Sequence, residues 1–285
     1  MNQPLNIDVV VITALSEEKQ ALKSCFGIDF ETVVKHGIHY NVGTIKYKDR
    51  AINVATVQPI DMGPIPAAVI ATRSIIEWQP FIIAMTGICA GMKSLTKMGD
   101  IIVASQVFDH TAGTYKNGSI TPFQQSIGQD QWVLQFIQSI MDNEKEIEEI
   151  SSSHPRPTKD LGKTNIHIGP MASGSFVVKD SSYIESLLDK TSKLYGIDME
   201  SYGVASAAKI CSSAFDNVVW LVTKGVADHA DNKKKDDWHS YCAFASAKFL
   251  MIMLNEILKR DNSYAWLENQ RKAQIPENQP HLFDK

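Results

Sequence analysis

The sequence predicts an α/β fold, a single domain with a mixed central β-sheet flanked by helices. Two observations predict it. Short runs of β-branched and aliphatic residues, the kind that fill strands buried on both faces, recur along the chain. Helical stretches separate them, so strands and helices interleave throughout and no internal repeat is visible. The chain has 285 residues, enough for one large core of this kind.

The first run, IDVVVITA (7–14), is a continuous buried strand. LSEEKQALKSC then starts a helix, with Ser16 as its cap and Glu17 and Glu18 in its first turn. HYNVGTIKYKDRAINVATVQ (39–58) alternates about KDR and reads as a hairpin. GPIPAAVIATRSIIEW (63–78) is a helix that keeps its prolines in the first turn. FIIAM (81–85) is a buried strand followed by TGICAGM, and GDIIVASQVFDH (99–110) is another strand. Residues 111–128 read as a loop, and 129–150 as an increasingly acidic helix. SSSHPRPTKDLGK (151–163) reads as an exposed loop inside the domain, because strand signals resume at once in TNIHIGPMAS (164–173). A helix near 180–191, a short strand in KLYGIDM, a buried helix, the strand NVVWLVTKGVA (217–227) and a long helix from Asp236 to Lys259 follow. The domain is expected over residues 1–260, and 261–285 reads as a polar, proline-bearing tail.

A net charge of −4 gives no reason to expect a nucleic acid or an anionic membrane as partner. No membrane span is expected, since FLMIMLNEIL is interrupted by Asn255 and Glu256, and the N-terminus lacks the layout of a signal peptide. Cys25, Cys89, Cys211 and Cys242 are scattered without metal-ligand spacing or a disulfide framework. The reading is a reduced, cytoplasmic protein with buried free thiols and no metal or other cofactor.

In open α/β sheets, ligand sites gather at the carboxyl ends of strands. The polar residues expected there are Glu17 and Glu18, TGICAG (86–91), ASGSF, DMES and KGVADHAD. TGICAG reads either as a backbone cradle for a ligand or as a tight turn between strands. Glu18 alone reads as a helix-dipole acid, and Asp228 as a loop cap or a site residue. Lys233, Lys234 and Lys235 read as a solvated turn or a phosphate contact. Phe176 and Trp238 read as packing aromatics, and His229 and His239 as surface residues. Asp198 and Glu200 bracket Met199 just before a run of small residues. A carboxylate buried there unpaired would cost several kcal/mol, on the order of magnitude for such groups.

Together these segments resemble the purine nucleoside phosphorylase / methylthioadenosine nucleosidase superfamily. The resemblance spans roughly residues 7–255 and rests on DVVVITALSEE, TGICAGM followed by MGDIIVASQVF, MASGSF, YGIDMES and KGVADHAD. It is strongest to the nucleosidase-type branch, which occurs as effector domains of microbial and fungal defence proteins and includes enzymes that remove adenine from adenine nucleotides.

The resemblance implies the phosphorylase/hydrolase-like fold and a set of roles. Glu18 would position and deprotonate the attacking water. Asp228 would protonate the leaving base at N7. Glu200 would grip the ribose hydroxyls, with Met199 packed on the sugar. Thr86, Gly87 and Ile88 would lie near ribose and nucleophile, and Phe176 and Val178 would line the base pocket. Lys224, or one of Lys233 to Lys235, would contact a 5′ phosphate if the substrate carries one. The implied partner is a small purine nucleoside or nucleotide, on a homo-oligomeric enzyme. Two features depart from the family pattern: Ala227 stands where a serine often precedes the acid, and Ile88 and Cys89 replace smaller or polar residues.

The chemistry needs these residue types. Breaking an N-glycosidic bond builds positive charge on the ribose and negative charge on the purine. A carboxylate at the ribose hydroxyls stabilises the first, an acid at the purine neutralises the second, and a base activates water. Arg50 and Arg73 sit in no phosphate motif, which favours hydrolysis over phosphorolysis. A phosphate-dependent phosphorylase and a non-catalytic nucleotide-sensing module are the alternatives.

Overall fold

The computed structural model describes residues 6–116, 119–123, 125–158, 162–189, 191, 193–212, 218–230 and 236–273. Its elements run β1 (Val9–Ile12), α1 (Ser16–Phe26), β2 (Glu31–Lys35), β3 (Ile38–Tyr47), β4 (Arg50–Val57), α2 (Pro64–Trp78) and β5 (Ile82–Gly91). Then come β6 (Ile101–Asp109), β7 (Gly113–Lys116), β8 (Ser119–Pro122), β9 (Ser126–Gly128), α3 (Gln131–Met141), α4 (Glu144–Ser152) and β10 (Ile166–Ser173). The chain continues through α5 (Ser181–Leu188), β11 (Gly196–Asp198), α6 (Ser201–Cys211), β12 (Val219–Asp228), a short 3₁₀ turn, α7 (His239–Lys259) and α8 (Asp261–Ala273).

The main sheet has the order β11-β10-β6-β12-β5-β1-β4-β3-β2, with β9 added beside β6. It is mixed, as expected: β4, β1, β5 and β12 run parallel, while β12 meets β6 antiparallel. β11 pairs with β10 on one side and β5 on the other, so β5, β12, β6, β10 and β11 close on themselves.

The β-branched runs explain the layering. In β1, Val9 and Val11 belong to the core under α1 and α7, while Val10 and Ile12 belong to the core under α2 and α6. A strand wedged between two helix layers needs apolar residues at every position. Helices α2 and α6 lie close because Gly203 has no side chain: a Cβ there would sit 2.1 Å from the Pro64 carbonyl oxygen. α7 is long and apolar enough to cross a membrane by length and composition, but its apolar side chains are buried against the sheet.

The structure differs from the expectations at several points. TGICAG is not a turn; it continues β5, with Thr86 to Cys89 paired to Thr223 to Val226 of β12. The second strand of the expected hairpin, β4, also lies parallel to β1, so its carboxyl end joins the same sheet edge. The 111–128 segment contains the β7–β8 hairpin and β9, and β2 was not anticipated because its outer face is exposed. The cap of α1 is Leu15, with Ser16 as the first helical residue. Asp261–Ala273, read as the start of a polar tail, forms helix α8, with Leu267 fully buried. Residues 274–285 lie outside the described residues.

Candidate active site

A cavity of about 510 Å³ opens at the carboxyl edge of β1, β5, β11 and β12. Glu18 stands at its inner wall. It lies in the first turn of α1, yet it is 1 % exposed, because its carboxylate folds back onto the backbone. The N–H groups of Ala14 and Leu15 donate to Oε2 at 2.7 and 2.9 Å, and that of Ile88 donates to Oε1 at 2.9 Å. Gly87 makes the approach possible: a Cβ there would lie 2.1 Å from Glu18 Oε1. Burial pushes the Glu18 carboxyl above its ordinary value, against the Lys224 charge and the three N–H groups.

Glu200 and Asp198 sit at the start of α6. Asp198 accepts bonds from the Ser201 N–H at 3.2 Å and the Ser201 hydroxyl at 2.7 Å, holding the first turn of the helix. Glu200 accepts the Gly63 N–H at 3.0 Å, which ties the start of α6 to the start of α2. Beneath both acids lies Lys224 of β12, with no exposed surface. Its Nζ is 3.2 Å from Asp198 Oδ2 and 3.8 Å from Glu200 Oε2. The Lys224 ammonium loses solvation by burial, but the surrounding carboxylates outweigh that loss and raise its pKa. The Glu200 carboxyl is pushed up to about 7, chiefly by burial, with Lys224 pulling it down and Asp198 pushing it up.

Asp228 closes β12 and lines the cavity half-buried, with its Oδ1 accepting the Ala230 N–H at 2.7 Å. Met199, Ile88, Phe176 and Val178 line the same cavity. Among the described residues, no group of three or more histidine, cysteine or acidic side chains is arranged to hold a metal ion.

The family model described as "Phosphorylase superfamily" matches residues 8–256. The chain belongs to the phosphorylase superfamily. Among the proteins it resembles are the uncharacterized protein y4jS of Sinorhizobium fredii (strain NBRC 101917 / NGR234) and the ATP nucleosidase Cap17 of Escherichia coli. The first is 28% identical over 88% of this chain and 61% of y4jS, the second 25% identical over 84% of this chain and 49% of Cap17. The chain thus spans about half to three-fifths of the length of these two relatives. The fold matches that of the Helicobacter pylori 5′-methylthioadenosine/S-adenosylhomocysteine nucleosidase, solved with a pyrrolidine-based compound. That match has a TM-score of 0.69 at 20% identity, covering 88% of this chain and all of the other.

Of the residues expected at the site, the structure brings Glu18, Ile88, Phe176, Val178, Met199, Glu200 and Asp228 onto one cavity. Thr86, Gly87 and Lys224 stand behind it. The Thr86 hydroxyl bonds Ser246 inside the core at 3.0 Å, Gly87 makes room for Glu18, and Lys224 supports the acids from below. Lys224, expected to contact a 5′ phosphate, is fully buried, engaged by Asp198 and Glu200, and not among the residues that line the cavity. Lys233, Lys234 and Lys235 lie outside the described residues.

Lining residues that the sequence reading did not pick out include Met62, Lys179 and His239. His239 was placed on the surface, but it begins α7 at the cavity, with Nδ1 2.9 Å from Glu17 Oε1. Met62 lies after β4, whose end was not counted among the strand ends because the hairpin pattern hid its parallel partner.

Proposed function

We propose that this protein is a purine nucleosidase that hydrolyses the N-glycosidic bond of an adenine nucleoside or nucleotide. One observation carries the reading: Glu18, Glu200 and Asp228, from three separate elements, line a single cavity. A nucleoside cleaved there needs charge stabilisation at the ribose, a proton at the purine and an activated water. Glu200 takes the ribose hydroxyls, and Met199 packs against the sugar. Asp228, at the end of β12 and open to the cavity, donates the proton to the leaving base. Glu18, raised by burial and held by three N–H groups, accepts the proton of the attacking water. Phe176 and Val178 offer apolar surface to the base.

The arginines support hydrolysis over phosphorolysis. No arginine lines the cavity among the described residues. Arg50 donates to the Leu258 carbonyl and pairs with Asp261, and Arg73 donates to the His36 carbonyl near Glu77. The relatives named for nucleosidase activity point the same way.

The reading includes a homo-oligomer. Met62 lines the cavity and is half exposed, and the exposed face of α2 beyond it carries Ile65 and Val69. An apolar face that runs from a pocket mouth along a helix is suited to a second copy.

The test is a product assay across adenosine, methylthioadenosine, AMP and ATP, with and without orthophosphate. Release of free adenine and a free ribosyl product without phosphate is expected. Strict dependence on phosphate, with ribose 1-phosphate as product, would overturn the hydrolytic reading. Binding without base release would make the chain a sensing module.

A further inference from the structure

A second cavity, of about 450 Å³, lies at the opposite end of the sheet. Its floor is formed by Ile82, the first residue of β5, and by Val219 and Leu221 at the start of β12. The candidate active site takes Ile88 and Asp228 from the other ends of these same strands. Trp132 and Phe136 of α3 and Trp266 of α8 line its sides.

We propose that this cavity binds a small, uncharged, ring-bearing molecule. Its size falls within the roughly 300–1,000 Å³ range of small-molecule sites. The two indoles have ring centroids 5.1 Å apart and are tilted by 52°, so they touch each other and present a continuous aromatic surface to the cavity. Trp132 is 47 % exposed, a large apolar surface that a ring laid against it would cover. Among the described residues, none that lines the cavity carries a charge. Arg260 stacks over Phe136 outside the lining, and its guanidinium is engaged by Glu256 and Ser139. An ionic ligand would therefore lose its water without gaining a counter-charge, which disfavours it. Asn262 and Ser263, at the start of α8, are polar residues of the lining and supply a hydrogen-bonding edge for one polar substituent.

This assignment does not depend on the catalytic reading. The test is a titration of the full chain with N-phenyl-1-naphthylamine, an uncharged aromatic amine that brightens in apolar surroundings and accepts energy from tryptophan. One saturable site with quenching of tryptophan emission is expected. Ser263→Trp, which fills the half-buried rim, and Leu221→Phe, which fills the floor, should each weaken binding at least tenfold. Far-UV circular dichroism and melting temperature show whether each variant is folded. If Leu221→Phe does not fold, the rim variant carries the test. Absence of saturable binding, or equal binding by the folded variants, would overturn the proposal. Sedimentation run alongside covers another occupant: self-association through this face that Ser263→Trp abolishes would assign the cavity to a second copy and overturn the small-molecule site.

Discussion

Single atoms decide the chemistry at this site. Asp228→Asn keeps the shape and the bond to Ala230 but has no proton to give. Since a general acid contributes typically about 10²–10⁴-fold, a rate loss in that range is expected with purine substrates. The loss should be smaller with substrates whose leaving group is already activated. Equal losses on both, measured by kcat/KM, would remove Asp228 from the proton-donor role. Gly87 makes an independent prediction. Gly87→Ala would place a methyl group 2.1 Å from Glu18 Oε1, so the carboxylate must leave its three N–H donors. Losing charge-assisted bonds worth about 1.5–3 kcal/mol each should cost the rate at least about tenfold. Binding of a non-hydrolysable nucleoside analogue should change much less. A variant with wild-type turnover would show that Glu18 need not be held in place.

At the scale of elements, β12 carries the network through Lys224. One ammonium faces Asp198, Glu200 and, through space, Glu18. Lys224→Met leaves these acids without their cation, and removing one partner from a buried ion pair typically costs about 3–5 kcal/mol. A large drop in melting temperature is expected, with partial recovery in Lys224→Arg, which restores the charge. Glu200 sets a pH dependence. Its carboxyl sits near 7 in the folded protein, against an ordinary value of 4.5. If the ionised form grips the ribose, kcat/KM falls as pH drops through about 7, and that limb disappears in Glu200→Gln. The stability effect has the opposite sense. Between 4.5 and about 7 the folded state keeps a proton that the unfolded chain has lost, so stability falls as pH rises through this window. The span corresponds to on the order of 3 kcal/mol. Denaturant melts from pH 5 to 8 should show this slope in the wild type and a flatter one in Glu200→Gln.

At the scale of the whole molecule, the proposed homo-oligomer is tested on the exposed face of α2. Val69→Asp places a charge in the middle of it. Sedimentation should show a shift to monomer, and KM should rise more than kcat falls if a second copy shields the pocket mouth. A monomeric wild type, or a variant with unchanged mass, would remove the oligomer from the reading.

Much of this protein could be read from local chemistry. β-branched runs such as IDVVVITA and NVVWLVTKGVA marked strands buried on both faces, because a strand between two helix layers has no solvated side. The acids Glu18, Glu200 and Asp228 could be collected by taking the residues that follow those strands, since ligand sites gather at that edge. Pairing partners could not be read in the same way. TGICAG looks like a turn by its glycines, and only the register with β12 makes it a strand. β4 looks like half of a hairpin, and its parallel contact with β1 is a long-range choice that brings Met62 to the cavity. Lys224 reads in the sequence as a strand residue near the site that would contact a phosphate, but lies enclosed beneath two acids. Residue type and periodicity report which side chains avoid water and which carry protons. Which strands lie side by side, and therefore which acids share one cation, depends on contacts between residues far apart in the chain, and only the tertiary structure decided that.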